Sequence, residues 1–273
     1  MAHEPTSLAR RSFLALASAA VGAAWLRPAW TLGAERLGPS LARDHGLALR
    51  VPRRTINGSK VPIVVEVAEP MTPGHHVTRV RVTNESDPIA TKGVFDFTPA
   101  NGRVYLAFQA RTHEGASEFT ATATCNRHGD FSARSPIEIP PGAGGCSGVP
   151  PAFERTSGDD IRAPVIRIPA LVDRGVIRRG EFFLVQVKMR HPNRTGLTFR
   201  NGRFVQESEP IHLDSLEVFY GGAPVSHFAL TSALSDDPFF TFGLLARRTG
   251  TIRVVATNSR GQQLDAEHEL RVA

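Results

Sequence analysis

Two stretches decide the fold class: Val61-Pro62-Ile63-Val64-Val65-Glu66-Val67 and Val77-Thr78-Arg79-Val80-Arg81-Val82-Thr83. Both are rich in β-branched residues, and apolar and polar side chains alternate along them. A period of two turns one face of an extended strand to a core and the other to water. The same style continues outward through Val94–Thr98, Val104–Ala110, Glu118–Thr124 and Phe131–Ile139. After a break it resumes in Val165–Ile168, Glu181–Arg190, Ile211–Tyr220, Val225–Thr231, Phe239–Leu245, Thr251–Ala256 and Leu264–Val272. Turn formers such as Asn57-Gly58, Pro73-Gly74, Asn201-Gly202 and Gly221-Gly222 punctuate the runs. Beyond residue 46 no stretch has convincing helical periodicity. The pattern predicts an all-β protein of two antiparallel β-sandwiches packed together.

The break is Pro140-Pro141-Gly142-Ala143-Gly144-Gly145-Cys146-Ser147-Gly148-Val149-Pro150-Pro151, followed by a polar stretch through Asp160. It lacks side chains large enough to build a core and marks a boundary. The expected organisation is a first sandwich over 35–148, a linker over 149–160 and a second sandwich over 161–273.

The chain has 273 residues, 32 of them Lys or Arg, 26 Asp or Glu, and two Cys. Two cysteines cannot form a disulfide scaffold. Only Lys60, Lys92 and Lys188 are lysines, and the positive excess is spread evenly over the two halves with no basic block. That excludes a nucleic-acid footprint. At the N-terminus, Arg10-Arg11-Ser12-Phe13-Leu14 leads into an apolar run that ends at Leu26, before Pro28. The run is too short for the roughly 20 residues of a membrane span. Its layout is that of a twin-arginine export signal over 1–34, which predicts a periplasmic protein.

No nucleophile elbow, zinc-protease helix, phosphate loop or dinucleotide fingerprint occurs, so no catalytic residue and no cofactor are assigned. His75-His76 on the Pro-Gly turn reads as solvated. Cys125-Asn126-Arg127-His128 has ligand-like spacing, but no second pair completes four ligands, so no metal is assigned. Cys146 stands apart, because glycines at 142, 144, 145 and 148 surround it. The segment reads as an exposed, flexible arm with Gly144, Gly145, Ser147 and Gly148 around the thiol. No Lys, Arg or His adjoins the thiol in sequence to activate it, so it reads as a handle for other proteins. The alternative is a structural Cys125–Cys146 disulfide.

At Cys146 the residues resemble a known family. The first half is similar to SoxY, the sulfur-carrier subunit of the thiosulfate-oxidising system. The resemblance rests on the export signal, Val61-Pro62-Ile63, Glu69-Pro70-Met71, Asn84–Pro88, Phe95-Asp96-Phe97-Thr98-Pro99 and Gly144-Gly145-Cys146. The second half is similar to its partner SoxZ through Ile166-Arg167-Ile168-Pro169, Gly180-Glu181, Val185-Gln186-Val187-Lys188, His191-Pro192 with Thr195-Gly196, and Asp237-Pro238-Phe239. The resemblance implies immunoglobulin-like sandwiches that pair within one chain. It also implies a covalent carrier role for Cys146, favouring the handle over the disulfide. The implied partners are a thiosulfate-conjugating c-type cytochrome, a thiosulfohydrolase and a sulfane dehydrogenase. His191, Pro192 and Gly196 would shape a partner-facing surface. Ser147 departs from the family's glycine, and the arm is internal where the family's is a free end. A carrier associated with a quinoprotein dehydrogenase, or a non-covalent interaction module, are the alternatives.

Overall fold

The computed structural model describes residues 45–147 and 160–273. The expected signal and nearly all of the expected linker, together with Gly148, lie outside the described residues.

Seven strands build the first half: β1 (Leu47–Arg50), β2 (Val61–Val67), β3 (Val77–Thr83), β4 (Thr91–Phe97), β5 (Val104–Ala110), β6 (Gly115–Cys125) and β7 (Gly129–Ile139). The alternation read from sequence is the burial pattern observed. Val61, Ile63, Val65 and Val67 of β2 are buried, while Pro62 is exposed and the side chains between are only partly covered. The second half contains β8 (Val165–Arg167), α1 (Pro169–Arg174), β9 (Phe182–Lys188), β10 (Leu197–Arg200), β11 (Arg203–Gln206), β12 (Leu213–Tyr220), β13 (Ala223–Leu230), β14 (Phe239–Leu245), β15 (Gly250–Asn258) and β16 (Gln263–Leu270). Helix α1 departs from the sequence reading. It has six residues, too few to show a period, starts with Pro169 at its first turn and stops at Gly175 in the left-handed conformation. The β10–β11 hairpin also escaped the reading. Asn201-Gly202 turns it, with φ of 51° and 77°, as a two-residue hairpin turn requires.

The strands form two large antiparallel sheets. One has the order β1-β2-β5-β14-β9-β8, the other β16-β15-β12-β13-β4-β3-β6-β7. Each half contributes to both, so each is a two-sheet sandwich. The halves do more than pack together: they are joined strand to strand in both layers. β4 pairs with β13 from Gly93↔Leu230 to Phe97↔Ser226. β5 pairs with β14 at Leu106↔Phe242 and Ala107↔Thr241.

The core is continuous across this seam. Phe95 and Phe108 from the first half lie 4.9 Å apart between ring centroids, and Phe95 lies 5.2 Å from Phe228 of the second. Phe228 in turn meets Phe242 edge-on at 5.6 Å. Such contacts add about 0.5–1.5 kcal/mol per pair beyond burial itself. Polar ties cross as well: buried Asn101 donates to Ser226 Oγ (2.8 Å) and to the Gly243 carbonyl (3.0 Å).

Candidate functional site at the seam

Cys146 lies where the two halves meet. The arm follows β7 and is woven between two loops of the first half. Gly58 N donates to Ala143 O (2.9 Å), Thr112 N to Gly58 O (2.8 Å) and Gly145 N to Thr112 O (2.8 Å). This weave explains the glycines. A Cβ on Gly145 would stand 2.3 Å from the backbone of Gly58, and one on Gly58 would stand 2.6 Å from Ala143 O. The glycines permit close backbone approach, where the sequence reading took them as slack.

The expected exposure of the arm is therefore corrected. Gly145 and Cys146 are buried, the latter to 3% exposure, and Gly144 and Ser147 are half-buried. The fold also supplies the charged neighbours that the local sequence lacked. The Cys146 thiol donates to Asp87 Oδ1 at 3.8 Å. Asp87 Oδ2 is 2.6 Å from Lys92 Nζ, and both side chains are shielded from water. Arg111 forms a second buried pair with Asp236 at 2.9 Å. Its guanidinium also donates to Gly145 O (3.0 Å) and, through two nitrogens, to Asn193 O (3.1 and 2.9 Å). Thr195 Oγ1 donates to Cys146 O at 2.9 Å.

Two cations and two carboxylates thus ring the thiol with no net charge. Burial pushes the Cys146 thiol up to about 12, Asp87 adds to the rise, and Lys92 and Arg111 oppose it. In this docked position the sulfur is a neutral thiol and a poor nucleophile. The arm is held in this position by hydrogen bonds to both halves of the chain and by no disulfide.

The second half supplies the floor of the site. His191, Pro192 and Gly196, expected on a partner-facing surface, are buried instead. His191 N donates to Asp237 Oδ1 (3.1 Å), its Nε2 faces Asn258 Nδ2 (3.3 Å), and burial lowers its pKa. Gly196 has φ of 71°, and a Cβ there would stand 2.1 Å from Ser208 O. The stretch between them, Asn193 to Thr195, holds Arg111 and the arm. Asn193 and Thr195 thus meet the other half of the same chain, while His191 and Gly196 pack within their own. The β10–β11 hairpin leans over the arm, where His113, Phe199 and Phe204 have ring centroids 4.9–5.2 Å apart. With Glu114, Gly142, Gly144 and Ser147 they line a cleft of about 120 Å³.

The Cys125–Cys146 disulfide is excluded in this fold. Both cysteines are free thiols. Cys125 ends β6, whereas the arm packs at that strand's start, where Gly142 N donates to Glu114 Oε2 at 2.5 Å. Eleven residues of strand span roughly 33 Å, against the roughly 4–7 Å between Cα atoms that a disulfide allows. His75 and His76 are half-buried, and not solvated as their turn suggested.

The sequence reading missed Asp87, Lys92, Arg111, Asp236 and Thr195. Lys92 carried a weak signal, as one of three lysines in the chain, two residues before the strand read at Val94–Thr98. The others are loop residues; Asp87 and Thr195 lie in stretches that carry the resemblance, but their contacts with the arm appear only in the folded chain.

Comparison with known proteins gives two family matches. Residues 35–146 match the model of sulfur oxidation protein SoxY, and residues 174–269 match that of sulphur oxidation protein SoxZ. The first match ends on Cys146. No curated protein matches the chain. Among solved structures, superoxide reductase (neelaredoxin) from Ignicoccus hospitalis is 17% identical and covers 44% of this chain and 87% of its own, with a TM-score of 0.32. A Dpr2 Ig1-Ig2 chain in complex with DIP-Theta Ig1-Ig3 is 10% identical and covers 84% and 97%, with a TM-score of 0.23. Likeness this loose has no bearing on function.

Proposed function

The chain belongs to the SoxY and SoxZ families, one fused to the other, and from that premise we propose that it is a covalent sulfur carrier of a Sox sulfur-oxidation system. The carrier group is the thiol of Cys146. The observation that supports this reading is the arm itself: a cysteine at the last SoxY-matched position, docked at the seam by reversible hydrogen bonds. The protein is a substrate of other enzymes and performs no catalysis of its own.

Docking and release divide the work. Docked, the thiol is neutral and shielded from stray oxidants. Released, its pKa returns toward the ordinary 9.0 and the sulfur can be offered to a partner. Joining thiosulfate through its outer sulfur forms one S–S bond, releases the thiol proton and removes two electrons, which a c-type cytochrome accepts. Hydrolysis by a thiosulfohydrolase then frees sulfate and leaves a persulfide on Cys146. A sulfane dehydrogenase oxidises that remaining sulfur to the sulfonate level with oxygen from water, its electrons passing to a c-type cytochrome, and a second hydrolysis frees it as sulfate and restores the Cys146 thiol. The adduct is tethered throughout and cannot diffuse away. We place this cycle in the periplasm, reached by twin-arginine export, on the strength of the N-terminal sequence.

Because the arm continues into the second half, it enters a partner as a loop. Intact-mass analysis after incubation with thiosulfate and periplasmic extract tests the proposal. A sulfur-containing adduct on the Cys146 peptide, absent from Cys146→Ser, is the expected result. Equal sulfur loading and thiosulfate oxidation with Cys146→Ser defeats it.

A further inference from the structure

At the pole of the first half opposite the arm, four side chains converge that the proposed carrier cycle does not use. His45 precedes β1, His75 lies in the β2–β3 connection, and Cys125 and His128 flank the β6–β7 turn. Each offers one ligand atom, and the four atoms lie within 4.8 Å of one another. His45 Nε2 is 2.9 Å from His128 Nδ1, and Cys125 Sγ is 3.8 Å from the same nitrogen. The three imidazoles form a near-equilateral triangle, with centroids 4.8–5.1 Å apart.

From this convergence we propose a structural transition-metal site of three imidazoles and one thiolate, formed by His45, His75, Cys125 and His128 and suited to zinc or copper. Tetrahedral zinc has bonds of about 2.0–2.1 Å to nitrogen and 2.3 Å to sulfur, so its ligand atoms stand about 3.3–3.6 Å apart. The observed separations of 2.9 and 3.8 Å fall on either side of those edges, and because the four atoms spread to as much as 4.8 Å, an ion would draw the widest pair together by about an ångström. Imidazole with thiolate is the donor set that zinc and copper prefer over harder ions.

The surroundings are those of a metal centre. Glu69 contacts Nδ1 of His45 with one carboxylate oxygen and lies 3.3 Å from Nδ1 of His75 with the other. One carboxylate thereby fixes the orientation of two rings and turns both Nε2 atoms toward the cluster, as carboxylates do behind metal-bound histidines. His75 Nε2 is buried and has no hydrogen-bond partner. The backbone N–H of Arg127 donates to Cys125 Sγ at 3.4 Å, which suits a thiolate. Phe131 stacks on His45 at 4.7 Å and shields that side. His45 itself has φ of 47°, a backbone position that non-glycine residues hold only when their surroundings impose it. Four protein ligands leave no position for substrate, so the ion's role is to clamp three loops together at the start of β1.

The full chain, treated with chelator and then titrated separately with Zn(II), Cu(II) and Co(II), tests this. One equivalent should bind, and cobalt should give the intense visible bands of tetrahedral coordination with a thiolate-to-metal transition. Zinc should raise Tm by several degrees. Cys125→Ser should abolish the thiolate band, and the half-exposed His75→Ala should weaken binding at least tenfold while leaving a folded protein. Cys146→Ser should bind metal as the parent does. Metal analysis of the untreated protein then separates the zinc arm from the copper arm. No saturable binding at micromolar metal, or binding unchanged in both Cys125→Ser and His75→Ala, overturns the proposal.

Discussion

Cys125 and Cys146 are equally buried, each about 3% exposed, yet they occupy opposite chemical settings. Cys125 ends β6 among three imidazoles, nitrogen donors that can share a metal with it. Cys146 packs near the other end of the same strand, between two ion pairs with no net charge. One surrounding offers nitrogen ligands that a metal would share with the sulfur, and the other keeps a proton on the sulfur. Residue type and burial alone therefore do not predict what a thiol does. The difference lies in whether the neighbours are ligands or already paired charges.

The largest break in this comparison comes from the ion pairs. Lys92→Met leaves Asp87 buried without its cation, and loss of one partner of such a pair costs about 3–5 kcal/mol. Urea unfolding should show that loss, whereas the same change at exposed Lys188 should be near neutral.

Next comes the weave of the arm. Gly145→Ala places a methyl group 2.3 Å from Gly58 and should expel the arm. Cys146 alkylation at pH 8 should then accelerate by two to three orders of magnitude, on the order expected from a pKa drop from about 12 toward 9.0. Cys125 labelling should stay unchanged in that variant. Chelator treatment should do the reverse, opening Cys125 to reagent while Cys146 remains protected.

The pH dependence is smaller. The docked thiol's pKa is raised, so the contribution of the neutral thiol to docking is complete below about pH 9 and declines as pH rises toward about 12. The released fraction should grow up to tenfold per pH unit across that window, measured by protection of the arm amides from hydrogen exchange. The smallest effect belongs to the surface. Arg253→Ala breaks an exposed pair with Asp265 (3.0 Å) and should change stability by less than about 1 kcal/mol.

Much of the fold was legible because alternation reports burial directly. The ranges Val61–Val67, Val77–Thr83, Val104–Ala110 and Phe239–Leu245 coincide with β2, β3, β5 and β14. The four-residue strands β1, β10 and β11 are too short to show a period. The joining of β4 to β13 and β5 to β14 was not legible, because backbone pairing leaves no residue signature at the partner. At the site, the glycines around Cys146 were seen but misjudged, since slack and close approach require the same residue. Cys125 and His128 gave half of a ligand set within one turn. His45 and His75 lie 80 and 50 residues earlier in the chain, and only the sandwich brings them back.

The seam has a consequence for handling the protein. In an isolated first half, β4 and β5 would each end a sheet with a row of unmatched amides and carbonyls, and in an isolated second half so would β13 and β14. Such rows template the stacking of further chains. Fusion guarantees that every molecule carries the cover for its own sticky edges in equal dose. A cell making the halves separately would have to match their synthesis or lose the surplus to aggregates.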